Sequence, residues 1–362
     1  MPLNKVPQRC KVIVLRKAVD QTGPYKFDAV LEERDVPSLK DGQVLVKIEA
    51  AGFNHREVWI RKGLYPGITI GSVYGADGAG TVVASSDEND PLLSKKVFLV
   101  PSRGWDSDPH GPESKFGVIG GGSSPPIGTF TEFVAVGRKY IIPTPDHLSS
   151  EEVAVWPVAG VTAWRAAIIN AGADKGRNIL ITGAGGGVAL LAVQLSVVKG
   201  ANVFVTSGSD ERIKKLLPLG VKGGVNYKHE DWPVQLGTLL QKEGNGLLDA
   251  VIDSAGRDIV EKTSKLLKPG GKIVAYGIDA GGKLSFSMRE ILRNIQFRGS
   301  TMGSQKDLED ATNFITEKKL VPVISHTIDG LESIEKGFEI LEKGEQFGKV
   351  VVKIRPSQAA RL

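Results

Sequence analysis

Up to about residue 150 the apolar positions come in short, β-branched runs. KVIVL, QVLVKIEAAG, GTVVAS, KKVFLV and FTEFVAV are each bounded by Gly, Pro, Asp or Ser, which is the pattern of strands. Between Ser102 and Gly128 the chain is rich in Gly, Pro, Ser and Asp and shows no period. This predicts a long loop, of the kind that serves as a lid or a functional segment in a compact domain. Near EEVAVWPVAGVTAWRAAIINAG the texture changes. NILITG, NVFVTS, GGVNY, LLDAVIDSAG, KIVAYG and IQFRGSTMGS predict strands, and helical stretches such as GVALLAVQLSVVKG, DERIKKLLPLG, WPVQLGTLLQKEG and DIVEKTSKLLKPGG alternate with them. Fully apolar strands alternating with helices imply a parallel sheet covered on both faces. The tail LESIEKGFEILEKGEQFGKVVVKI predicts one helix and a closing strand that matches the texture of the first region. The expected fold is therefore α/β. A doubly wound domain over residues 153–302 is inserted into a β-rich domain made of residues 1–152 and 303–362. No internal repeat is visible.

The segment NILITGAGGGVALLAVQLSVVKGANVFVTSGSDER places a strand, a glycine cluster, a helix and a second strand in succession. Dinucleotide-binding Rossmann folds need that order. Small residues let the backbone approach a pyrophosphate, and the helix N-terminus supplies N–H donors and a positive dipole. Gly183-x-Gly185-x-x-Val188 fails at its last place, whereas Ala184-x-Gly186-x-x-Ala189 keeps every place small and is the preferred register. Ala184, Gly185, Gly186, Gly187 and Val188 are the expected pyrophosphate residues. An NAD site wants an acid at the end of the second strand, but this strand ends Thr206-Ser207-Gly208-Ser209. Small hydroxyls at Ser207 and Ser209 leave room for a 2′-phosphate. Arg212, in the first turn of the next helix, meets it bidentately, and the Tyr227 hydroxyl reaches the same place. The expected cofactor is NADP(H). Asp210 and Glu211 follow closely and are expected as first-turn acids favoured by the helix dipole.

Composition changes the picture mainly by exclusion. The chain of 362 residues has one cysteine, Cys10, so neither an intrachain disulfide nor a cysteine-rich zinc site is available. A net charge of +5, with no basic run, argues against a nucleic-acid arm and suits an anionic small molecule. No apolar stretch approaches the ~18 residues of a membrane span, and the first residues lack an apolar signal core. The expected location is cytoplasmic. The final Ala360-Arg361-Leu362 is a relaxed form of a peroxisomal address, with a plain basic tail as the other reading.

A β-rich domain, a glycine-rich dinucleotide domain and a return to the first domain resemble the medium-chain dehydrogenase/reductase superfamily. The matching segments are AAGFNHREVWIRKGLYPG, VYGADGAGTVV, VAGVTAW, ITGAGGGVALLAVQ, VNYKHEDW, VIDSAG, LLKPGGKIVAYG and GEQFGKVVV. The resemblance spans the chain, implies a GroES-like first domain, and is strongest to the zinc-free quinone-oxidoreductase-like and enoyl-reductase-like branches. The zinc-dependent branch holds its metal with Cys, His and Cys, and Asn54, Ala76 and Val158 take those places here. His55 and Glu57 lack a third ligand at a suitable spacing, so no metal is expected. The zinc-free enzymes pair an Asn with a Tyr at the spacing of Asn54 and Tyr65. Glu57 and Arg61 match a family acid and arginine, expected as an ion pair across one helical turn. Trp59 departs from the Tyr common in the quinone branch. The resemblance further implies Thr162, Gly277, Thr301 and Met302 at the reactive end of the cofactor, with Ser254 and Lys349 completing its contacts.

The implied chemistry is hydride addition to a conjugated enone, quinone or enoyl thioester. Asn54 and backbone amides would hold the enolate oxygen, and Tyr65 would donate the proton. Two other readings remain open. One is a nucleotide-binding protein with a regulatory, structural or RNA-associated role and little turnover, as some relatives have adopted. The other is a dehydrogenase of simple alcohols, which lacks here the metal its relatives use. A small-molecule substrate and a homodimer are expected, with no DNA or membrane partner. The dimer contact is expected at LSFSMREILRNIQFRG, read as a β-rich segment at a sheet edge. The substrate pocket is expected from the Ser102–Gly128 loop and the Met288–Phe297 segment.

Overall fold

The computed structural model describes residues 6–20, 22–123, 125–244, 246–277 and 283–355. The tripeptide Ala360-Arg361-Leu362 lies outside the described residues. The chain divides into two compact units, one of residues 1–158 and 304–362 and one of residues 159–303.

The first unit is built on a mostly antiparallel seven-stranded sheet. Its central strand Gln43–Gly52 pairs with Asp77–Ser85, with Phe133–Gly137 and, from the far end of the chain, with Lys349–Lys353. The register Val351↔Gly52, Val352↔Ala51 and Lys353↔Ala50 brings the C-terminal strand alongside the stretch that leads to Asn54. Its near-continuous apolar run suits a strand buried on both faces for much of its length: Val44, Leu45, Val46, Ile48, Ala50 and Ala51 are buried. The polar strand Phe27–Asp35, which no apolar period reveals, is held by full antiparallel pairing to Arg9–Lys17. Beneath the sheet Phe53 packs on Phe130 (ring centroids 4.7 Å apart) and edge-on to Phe338 (5.5 Å). A Cβ at Gly337 would come within 2.2 Å of the Phe53 ring, so glycine there admits the aromatic that anchors the residue before Asn54.

Among the described residues of the predicted long loop, only Ser102–Arg103 and Gly117–Val118 pair with one another as strands. The loop is tied down by polar contacts instead. Glu113 accepts the N–H groups of Asp106, Ser107 and Asp108 at 2.6–2.7 Å.

The second unit carries a six-stranded sheet whose adjacent strands all pair in parallel. Numbered within the unit, its strands run 3-2-1-4-5-6, the order of a Rossmann fold, with the crevice for a dinucleotide where the order reverses. That point lies between Asn178–Ile181 and Leu248–Asp253. The helix Gly187–Val198 is apolar on nearly every face, with Ala189, Leu190, Leu191, Ala192, Val193 and Leu195 buried. Such a helix suits the covered face of a sheet.

Two segments differ from expectation. LSFSMREILRNIQFRG is not uniformly β: Met288–Leu292 is a helix, and only Gln296–Gly299 forms the edge strand. The Ser287 side chain accepts the Arg289 N–H, and Glu290 accepts the Ser287 N–H, a local capping arrangement that outweighs strand propensity. The stretch Arg165–Ala171 winds as a π-helix and ends on Gly172 in the left-handed region.

Candidate active site

In the second unit the strand Asn178–Ile181 runs into the turn Gly183–Gly186, and Gly186 caps the helix that follows. The Ala184 N–H donates to the Thr206 carbonyl at 2.9 Å, which fastens the turn to the second strand. The first helical N–H groups, those of Gly187 and Val188 included, have no intrahelical acceptor. Positive φ occurs at Gly183 (62°) and Gly185 (149°). The backbone thus demands glycine in the register that the side-chain pattern set aside, while Ala184 is simply buried. Gly183 was absent from the expected set, and its pairing with Gly185 was the signal available.

Beyond the second strand the Ser209 hydroxyl accepts the Arg212 N–H. The Arg212 side chain crosses the turn, its Cδ 3.2 Å from where a Cβ on Gly185 would lie. The Tyr227 hydroxyl and Lys228 Cε lie 2.6 and 3.3 Å from the Cβ position of Gly208. Ser207, Ser209, Arg212 and Tyr227 therefore gather at one strand end, joined by Lys228, which is not among the residues expected from sequence. The two acids beside them are turned to other partners. Asp210 accepts from Asn226 at 3.3 Å and Glu211 from Lys214 at 2.9 Å. An open glycine turn at a helix start, beside two cations and small hydroxyls, fits a phosphorylated dinucleotide.

The remaining expected cofactor residues in this unit form two separate contacts. The Thr162 hydroxyl donates to the Met302 sulfur at 3.6 Å, and Met302 itself sits at φ 45°. Thr301 precedes it and is exposed. A Cβ at Gly277 would lie 3.5 Å from the Ser254 Cβ. Next to Ser254, Asp253 accepts the Thr182 hydroxyl and, at 2.8 Å, the Gly256 N–H.

In the first unit Asn54 caps the short helix His55–Arg61. Its N–H donates to Glu57 Oε2 at 2.7 Å. Its side-chain Nδ2 donates to Asp77 Oδ2 at 2.9 Å. Its Oδ1 accepts from Lys349 Nζ, which also donates to the Phe53 carbonyl at 2.7 Å and lies 3.5 Å from Asp77 Oδ2. Asp77 Oδ1 accepts the Val158 N–H at 2.8 Å. The three places occupied by metal ligands in the zinc-dependent branch thus meet around Asp77, a residue the sequence reading passed over. It directly follows Ala76 in an otherwise small and apolar strand start, and that misplaced acid was the available clue. Burial pushes the Asp77 carboxyl up and the Lys349 ammonium down from their ordinary values. A zinc ion does not fit: two of its expected ligands are Ala76 and Val158, and the nearby oxygens already bind an ammonium. Among the described residues no group of three His, Cys, Asp or Glu side chains could hold a metal. His55 is exposed while Glu57 is fully buried, so they share no site.

The expected Glu57–Arg61 pair is not formed. Glu57 is drawn back to the Asn54 N–H and pairs with its neighbour Arg56 at 3.1 Å. Arg61 instead pairs with Glu335 at 2.6 Å and lies 3.7 Å from Asp28. Capping of the short helix decides this, because Glu57 cannot serve both ends. Lys349, expected at the cofactor, has its ammonium engaged by Phe53, Asn54 and Asp77. The guanidinium of Arg56 lies 4.7 Å over the half-buried Tyr65 ring and donates to the carbonyls of Ile119 and Gly120 at 3.0 and 2.8 Å. One chain of contacts therefore links Tyr65, Arg56, Glu57 and Asn54 with the predicted loop. Among the described residues no helix is long and apolar enough to cross a membrane.

Comparison with known proteins agrees with this architecture. The family described as "Alcohol dehydrogenase GroES-like domain" matches residues 40–146, and "Zinc-binding dehydrogenase" matches residues 187–317. A "Zinc-type alcohol dehydrogenase-like protein YogA" of Leptosphaeria maculans is 43% identical over 355 residues, covering 94% of this chain and 99% of that protein. An "Acryloyl-coenzyme A reductase" of Sulfurisphaera tokodaii is 26% identical, covering 93% of this chain and 99% of that protein. A solved "NAD-dependent alcohol dehydrogenase" superposes with a TM-score of 0.83 at 30% identity, covering 95% of this chain and 100% of that one. With its GroES-like unit, its Rossmann unit and these full-length relatives, the chain belongs to the medium-chain dehydrogenase/reductase superfamily and is an oxidoreductase of that family.

Proposed function

We propose that this protein is an NADPH-dependent, zinc-independent reductase of α,β-unsaturated carbonyls or quinones. One observation carries the reading. Where relatives place an electrophilic metal, this chain has an amide, Asn54, held between a carboxylate and an ammonium. Hydrogen-bond donors suffice for an enolate, whose charge is delocalised, better than for the alkoxide of a simple ketone. NADPH, when bound, would supply the hydride for this reduction. Asn54 Nδ2 donates to the oxygen on which charge develops. Tyr65 gives its phenolic proton to the α-carbon of the enolate and is reprotonated from solvent. Arg56, stacked on the Tyr65 ring, steadies that phenol. The acryloyl-coenzyme A reductase among the relatives supports a conjugated thioester as substrate, and Arg212, Lys228 and Tyr227 support NADPH.

Metal-free enzyme mixed with NADPH and, in turn, 1,4-benzoquinone, trans-2-hexenal and crotonyl-coenzyme A tests the assignment. Cofactor oxidation with at least one acceptor is expected, with kcat lowered about 10²-fold by Tyr65→Phe. Oxidation of NADPH with none of the three would overturn the reading. Tight NADPH binding with turnover indifferent to Tyr65→Phe would favour a regulatory role.

The names of two relatives favour a second reading, oxidation of simple alcohols. Stoichiometric zinc in purified protein, together with NAD-linked ethanol oxidation, would establish it. We place the protein in the cytoplasm as a homodimer. The strand Gln296–Gly299, at the sheet edge among the described residues, and the exposed Met288, Ile291 and Leu292 would form the subunit contact.

A further inference from the structure

Asn54 stands between two groups of opposite character. Lys349 carries only donors, and the carboxylate of Asp77 carries only acceptors. The amide oxygen faces the ammonium and the amide nitrogen faces the carboxylate. Turning the amide over would set N–H against NH3+ and oxygen against oxygen, inside a site where Lys349 is 6% exposed and Asp77 is fully buried. Both partners are themselves fixed. The strand pairing of Lys349–Lys353 and the bond to the Phe53 carbonyl hold the lysine. The Val158 N–H holds the second carboxylate oxygen, and the Thr129 hydroxyl donates to the Asp77 carbonyl at 2.7 Å. Asn54 has a second Nδ2 hydrogen, and it has no partner among the described residues.

We propose that Asp77 and Lys349 are positioning residues that lock the Asn54 amide in one orientation, so that it offers substrate its second Nδ2 hydrogen as a fixed donor. The site therefore takes a carbonyl or enolate oxygen. Lys349 acts through Asn54 and not on the cofactor. This rests on the role given to Asn54 in the proposed function.

The test compares Asn54→Ala, Lys349→Met, Lys349→Arg and the Asn54→Ala/Lys349→Met double variant. The probes are kcat and KM for trans-2-hexenal and the Kd of NADPH from its fluorescence. Asn54→Ala and Lys349→Met should each lower kcat about 10²-fold with the NADPH Kd unchanged. The double variant should be no slower than either single one, as expected of residues acting as a unit. Lys349→Arg, which restores a donor-only cation, should recover most of the rate. A weaker NADPH Kd in Lys349→Met with kcat preserved would overturn the proposal, as would independent, multiplying losses in the double variant. If Asn54→Ala leaves kcat unchanged, the role of Asn54 in the reaction fails instead.

The lock can also be read without turnover, and without variants at Lys349 that fail to fold. In 15N-labelled wild-type protein the two Asn54 side-chain amide protons, assigned by their loss in Asn54→Ala, should be well separated and slow to exchange. A merged or doubled signal, showing an amide that rotates or flips, would overturn the lock.

Discussion

Single residues show where type alone was informative and where partners decided. Ser207, Ser209, Arg212 and Tyr227 stand at one strand end as their spacing suggested, because strand, turn and helix leave a short chain little choice. Arg212→Ala should raise the Kd for NADPH by about 10- to 100-fold while changing that for NADH little, since a charge-assisted bond to a phosphate is lost. Titration of both cofactors checks it, and equal loss for both would remove the 2′-phosphate assignment. The Glu57–Arg61 pair failed for a reason of the same kind. Spacing admits the contact, yet Glu57 is taken by the Asn54 N–H and Arg56, and Arg61 finds Glu335 from a helix far along the chain. A sequence displays the spacing of neighbours but not their competitors.

At the scale of elements, strong periodicity was reliable and weak periodicity was not. The apolar strands and the buried helix Gly187–Val198 were legible. The polar strand Phe27–Asp35, the helix Met288–Leu292 and the π-helical turn were not, because pairing partners and caps create them. The glycine turn joins both cases. Gly185→Ala should cost about 1–3 kcal/mol, because φ of 149° is strained for any side chain. Chemical denaturation measures that loss, and a neutral result would contradict the turn geometry. The Ser102–Gly128 loop makes a pH prediction. The Ser107, Asp108 and Asp106 N–H groups hold the Glu113 carboxyl down at about 2, against an ordinary 4.5. A carboxylate lowered on folding stabilises above its ordinary value, and that contribution fades as pH falls from 4.5 toward 2. Protection of the Ser107 and Asp108 amides from hydrogen exchange should drop over that window, and Glu113→Gln should abolish the pH dependence. Unchanged protection would show that the turn does not depend on Glu113.

For the whole molecule, the decisive fact is that the first unit is completed by its last strand. A chain ending at Gly348 loses Lys349–Lys353, exposes the flank of Gln43–Gly52 and leaves Asp77 buried without its cation. An uncompensated buried charge alone costs about 3–5 kcal/mol. The truncated protein should lose the first unit to limited proteolysis while residues 159–303 yield a resistant fragment. A first unit as resistant as in the full chain would contradict this dependence.

Local order along the chain was enough to specify the doubly wound unit and a glycine-rich turn before its first helix, and residue type alone leaves Ala76 and Val158 without metal-ligating side chains. Those properties depend on residue type and on neighbours within a few tens of positions. The partners of Asn54 did not follow from it. Asp77 and Lys349 are brought to that amide by two strands, one from the far end of the chain, and a contact across nearly three hundred positions leaves no periodic trace. Burial then gave the Lys349 ammonium Phe53, Asn54 and Asp77 as its partners, because inside a protein each charge is confined to the partners the fold supplies.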